Sequence, residues 1–177
     1  MKKINLFFVF VLFFALLSAC KKDDEKEPTA KENLVGKTWV ITEVDSDISS
    51  TFGTLPPELT NDFNPTEGLE GQTIIFNENG TFLVGEDDNQ QQGNWTLSEN
   101  GQTLTFSGLA EGDLTEFVDA QTLANLQTFE VTTLNNSKLA IQNNTNVALP
   151  EEITEQITGF PIPITLIVKL NITFDKQ

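Results

Sequence analysis

The sequence predicts an all-β domain: an eight-stranded, up-and-down antiparallel barrel with one to three short helices in its loops. Three observations carry this. Two apolar runs flank Asn79-Gly80 in "TIIFNENGTFLV" and two more flank Asn100-Gly101 in "NWTLSENGQTLTF". Asn-Gly accepts the positive φ angles of a type I′ turn, so each stretch reads as a hairpin. At the C-terminus, every even position from Ile162 to Phe174 is apolar, and the odd ones are mostly polar. That is period two over a full strand, with one face buried and the other wet.

The strands follow in order. "WVITEV", residues 39–44, opens the set. The hairpins give 73–77, 81–85, 93–98 and 102–107. "FEVTTLNNSKLAI" adds a third hairpin, strands 128–134 and 138–142 about Asn135-Asn136, and the last strand runs 164–174, after Pro163. Eight strands joined mainly by tight turns suit closure into a barrel, which removes both exposed edges. Residues 45–71, with Pro56-Pro57, are expected to form an irregular flap. In residues 108–127, Asp113 to Glu116 resembles a capping box ahead of Phe117, Val118, Leu123 and Leu126, so a short helix is expected there. Another is expected at 150–159, which begins with Pro150, spaces Ile153 and Ile157 four apart and ends at Gly159.

Residues 1–19 read as an export signal. Lys2 and Lys3 precede an apolar run from Leu6 to Leu17, then Ser18 and Ala19. Twelve apolar residues fall short of the ~20 a membrane-spanning helix needs. Cys20, the only cysteine, follows at once. The stretch Leu17-Ser18-Ala19-Cys20 resembles the lipobox of bacterial lipoproteins, which implies that the Cys20 thiol is lipidated and anchors the chain. One buried acyl chain holds marginally and two hold stably, so palmitate-like acylation anchors without spanning. Residues 20–33 are charged and nearly devoid of apolar side chains, a solvated tether that reaches ~40 Å when extended. Lys-Lys-Asp-Asp-Glu after the cysteine resembles the export signal of surface lipoproteins in Bacteroidota, implying an outer-membrane, cell-surface location. The alternative is an ordinary spacer facing the periplasm.

Residues 34–177 are enough for one domain with a sizeable core. They hold four Lys against 21 acids. Such a field repels phosphate backbones and anionic headgroups, so nucleic acid is not expected as a partner, and the membrane is reached through the anchor alone. The whole chain has no His, Arg or Tyr. A Ser or Thr nucleophile lacks its usual imidazole base and a catalytic zinc its usual ligands, so no enzyme, metal or cofactor is expected. The acidic stretches "GEDDNQ" at 85–90 and "DSDISS" at 45–50 lack EF-hand spacing and read as solvated turns. The Asn-x-Thr triplets at Asn79, Asn94, Asn143 and Asn171 read as chance in an Asn- and Thr-rich chain.

Leu34, Gly36 and Trp39 in "LVGKTWVITEV", followed by "FNENGTF" and "GNWTLSENGQTLTF", make the chain similar to the lipocalin-like lipoproteins of Bacteroidota over most of residues 17–142. The wider lipocalin pattern has Gly-x-Trp, whereas Gly36 and Trp39 stand two residues apart. Lipocalins commonly pack an arginine on that tryptophan; here Lys169 or Lys176 is expected to lend its stem instead. The resemblance implies a barrel closed at the Trp39 end and open at the other, with residues 45–71 as lid. The inward residues implied to meet a small apolar ligand are Phe76, Phe82, Trp95, Phe106 and Phe129, above Trp39. Two alternatives stay open: a hollow barrel that carries such a ligand, or a solid barrel whose loops bind a protein or glycan outside the cell.

Overall fold

The computed structural model describes residues 27–51, 53, 68–85, 90–108, 120–160 and 162–177. The signal segment, Cys20, most of the tether, Pro56-Pro57, the Asp113 to Glu116 capping box and the acids of "GEDDNQ" lie outside the described residues, as do the side chains of Ile153 and Ile157. Eight strands close into an antiparallel barrel in which each pairs with its neighbour in sequence and the last returns to the first. They are β1 Thr38–Ser50, β2 Thr73–Phe76, β3 Thr81–Val84, β4 Gln91–Leu97, β5 Thr103–Ser107, β6 Thr128–Leu134, β7 Lys138–Ala148 and β8 Thr165–Lys176. Among the described residues three short helices accompany them: α1 Ala30–Leu34, α2 Ala120–Leu126 and α3 Glu151–Thr158.

All three tight hairpins fall at one end of the barrel, here the lower end, and the long connections fall at the other. The Asn-Gly turns differ from the expected two-residue type. Gly80 N–H donates to the Asn77 carbonyl (3.1 Å) and Asn77 N–H to the Thr81 carbonyl (2.8 Å). The turn therefore centres on Glu78-Asn79, with Gly80 following it at φ 85°. A glycine in the left-handed region after a turn is the bulged, three-residue hairpin loop. Asn79 stays structural: its Oδ1 accepts from Thr81 N–H at 3.1 Å. Asn135 Oδ1 accepts in the same way from Ser137 and Lys138 N–H, both at 2.9 Å.

Two strands are longer than their hydropathy suggests. β1 continues to Ser50 in register with β8, so "DSDISS" is strand, and residues 45–50 belong to the wall and not to a flap. Its alternation survives because a bulge at Thr42 shifts the register between Ile41 and Glu43. β7 continues past Gln142 to Ala148, again paired with β8 along its whole length. β1, β7 and β8 thus rise as a three-stranded wall above the short strands.

The charged segment before the barrel also ends in structure. Thr29 Oγ1 accepts from Glu32 N–H and the Glu32 carboxylate accepts from Thr29 N–H, a capping box that starts α1 inside the expected tether. Leu34 is the last residue of this helix and is fully buried. Its carbonyl accepts a 2.9 Å hydrogen bond from Trp39 Nε1, and Trp39 is fully buried too. The lower end is closed by this pair, with Leu104, Leu139 and Phe174 packed around it.

Candidate functional site

The aromatic residues singled out in the sequence come together above Trp39. Phe76 and Phe82 are buried with ring centroids 6.4 Å apart. Phe76 meets Trp95 edge-on at 5.5 Å. Phe106 stands edge-on to Phe82 at 5.2 Å and to Phe129 at 5.7 Å, and lies 6.1 Å from Phe76. Such pairs each contribute ~0.5–1.5 kcal/mol beyond the area they bury. Trp95 Nε1 donates to the Thr81 carbonyl at 2.9 Å, so its polar edge is satisfied inside the wall. The cluster spans strands β2 to β6, and its rings fill the lower half by touching one another.

Gly93 makes this packing possible. A Cβ placed on it would lie 2.6 Å from the Phe82 ring and 2.8 Å from the Ser107 carbonyl. The residue faces inward opposite Phe82, and only a bare Cα lets the ring lie flat against β4.

The upper half is lined differently. β8 turns Leu166 and Val168 inward, which join Val147 and Ile164 in a second apolar cluster flanked by Leu126, Leu149 and Ile162. β1 contributes Ser46, Ile48 and Ser50, all half-buried. β7 contributes Asn143 and Thr145, buried polar side chains that hydropathy alone assigns to the outside. Their cost is met locally. Asn143 Nδ2 donates to the carbonyls of Asn125 (2.7 Å) and Thr128 (2.6 Å), and Thr145 Oγ1 donates to Asn143 Oδ1 at 2.8 Å. A buried amide is tolerated when its hydrogen bonds are made. These bonds also tie the end of α2 and the start of β6 to the tall part of β7.

A groove of about 480 Å³ opens on the outer wall at this junction. Asn125, Thr128, Glu130, Gln142, Asn144 and Asn146 line it, with Asn143 and Thr145 between them. Glu130 is held by Gln142 Nε2 at 2.7 Å. None of these residues drew notice as a site in the sequence; the one signal available was that Asn143, Thr145 and Val147 continue the period-two register of Leu139 and Ile141.

Lys37, and neither Lys169 nor Lys176, sits over the Trp39 ring, with Nζ 5.7 Å from the centroid. It also donates to the Asn33 carbonyl at the end of α1. Burial first, and then the ammonium of Lys176, hold Lys37 below its ordinary value of 10.5. Lys176 pairs with Trp39 in the β1–β8 ladder, which explains its proximity. Lys169 is far up β8, in an exposed 3.6 Å ion pair with Asp47. Among the described residues, no three His, Cys, Asp or Glu side chains gather as metal ligands, and no helix is long and apolar enough to cross a membrane. No protein-family model matches the chain, and no curated protein or solved structure is significantly similar to it.

Proposed function

We propose that this chain is a lipid-anchored, lipocalin-like lipoprotein of the outer membrane that binds a small apolar ligand and catalyses nothing. Its membrane partner is the bilayer, reached through acyl chains on Cys20. The single observation that supports ligand binding is the change of lining along the barrel. Large rings pack one another below, while Ser46, Ser50, Asn143 and Thr145 stand beside the aliphatic row of Val147, Leu166 and Val168 above. An apolar ligand carrying one polar group matches that mixed wall, and the ring cluster serves as its floor. Small-molecule sites are commonly apolar with a few placed polar groups.

The test is native mass spectrometry of the full lipoprotein, drawn gently from its own host in detergent. A discrete added mass, lost on denaturation and absent from Val168→Trp, is the expected result. A mass of polypeptide and acyl chains alone, under every growth condition, sinks the ligand reading. Cys20→Ala is expected to release the protein from the membrane fraction, and protease added to intact cells distinguishes a surface from a periplasmic location.

A second reading is a surface interaction module whose loops meet an extracellular protein or glycan. It is favoured by the contact of all five rings, which makes the lower barrel a rigid scaffold.

A further inference from the structure

We propose that the groove on the outer wall, between β6, β7 and the end of α2, binds a neutral polyhydroxylated ligand, a saccharide chain. This site shares Asn143 and Thr145 with the upper lining as its floor, presents its carboxamides on the outer face, and does not depend on the ligand reading above.

Its shape comes from a mismatch in strand length. β6 pairs with β7 only as far as Gln142, whereas β8 continues along β7 to Ala148. Where β6 stops, the wall steps outward and leaves a recess of about 480 Å³, within the ~300–1,000 Å³ typical of small-molecule sites.

Its chemistry comes from the alternation of β7. Gln142, Asn144 and Asn146 are all exposed on the outer face and succeed one another every second residue, ~7 Å apart along the strand. A carboxamide offers two donors and an acceptor at one tip. A sugar hydroxyl is likewise donor and acceptor at once, so a row of carboxamides can meet successive hydroxyls of an extended chain in either sense. Asn125 and Thr128 face the row from the other side.

Its rigidity comes from below. Asn143 and Thr145 alternate with the exposed amides and are locked to the Asn125 and Thr128 carbonyls, so the floor is ordered before a ligand arrives. Such preorganisation lowers the ordering cost of binding.

Its charge selects against the alternatives. The chain carries a net charge of −16, which disfavours anionic ligands. Within the groove the lone carboxylate, Glu130, is already engaged by Gln142. That leaves too few anionic oxygens to favour a cation, and a neutral hydrogen-bonding ligand fits best.

The experiment is calorimetric titration of the full chain in detergent with maltotriose, xylotriose and the trimer of N-acetylglucosamine, beside a neutral Gly-Ser hexapeptide. At least one trisaccharide is expected to bind, with Kd of roughly millimolar or tighter. The Asn144→Leu, Asn146→Leu double variant is expected to weaken it about tenfold or more, with an unchanged melting temperature; if that variant unfolds, the Ser pair takes its place. Absence of binding by all three sugars overturns the proposal, as does binding that survives both groove variants. Tighter binding of the hexapeptide also overturns it and makes the groove a strand-docking edge.

Discussion

In the lower part of the barrel, five aromatic rings from β2 to β6 pack in contact. Above it, a three-stranded wall of β1, β7 and β8 carries serine, threonine, asparagine and short aliphatics. The lower half is held by non-directional burial, ring against ring, and the upper half by a few directed hydrogen bonds from Asn143 and Thr145 to the backbone of α2 and β6. The difference is one of tolerance. A well-packed apolar core has no slack for a missing or added group, whereas a buried polar wall holds only while each of its hydrogen bonds is made.

The contrast can be broken most severely at its centre. Phe76 touches three of the other rings and is fully buried. Phe76→Ala is expected to cost ~3–5 kcal/mol, read as a fall of about 10 °C in melting temperature. A loss below ~1 kcal/mol would mean that the rings collapse freely and the lower half is not tightly packed. Next is Gly93→Ala, which forces one methyl group into the Phe82 ring. Its expected cost is ~2 kcal/mol, measured by denaturant unfolding. The same change paired with Phe82→Leu should recover part of it, since the smaller side chain makes room.

At the closed end the expected effect is smaller and depends on pH. Lys37 has a lowered pKa in the folded chain, so between that value and 10.5 the unfolded chain binds more protons. Stability contributed by this group therefore rises with pH across that window. Lys37→Met is expected to lose the rise, which unfolding curves at neutral and alkaline pH can measure, and Lys176→Gln is expected to move the Lys37 titration back upward by NMR. Smallest of all is the upper wall's exposed ion pair: Lys169→Met is expected to change stability by less than ~0.5 kcal/mol. A larger effect there would mean that β1 and β8 depend on charge to stay paired above the barrel.

The same contrast explains what was legible in the sequence. The lower half announces itself, because Phe76, Phe82, Trp95, Phe106 and Phe129 sit in short apolar or alternating runs bounded by turn signals, which is the pattern that strand burial leaves in a sequence. The aromatic list and the strand order were accessible for that reason. Of the tall wall β8 was legible, but the upper parts of β1 and β7 were hidden because their inward positions include Ser46, Ser50, Asn143 and Thr145, which look like loop residues. The backbone partners of Asn143 and Thr145 lie 15 to 20 residues away in sequence, beyond any local pattern. α1 was missed for the opposite reason. Its Thr29 and Glu32 capping pair was present, but embedded among charges that read as solvated chain. The groove combines both difficulties, since an ending of one strand beside the continuation of another has no signature along either.

The plug formed by Leu34 and the Trp39 indole carries a mechanical consequence. The described chain enters the barrel from Glu27 through α1, at the closed end. Tension applied from the N-terminal side is thus delivered to that plug. The first bonds in its path are those of α1 and its Thr29–Glu32 cap, and behind them stand the Trp39 to Leu34 hydrogen bond and the bond from Gly36 N–H to the Phe76 carbonyl. The wall above is out of the line of pull, so a load on the chain can lengthen the stem by unwinding one short helix before it reaches the strands that hold the groove.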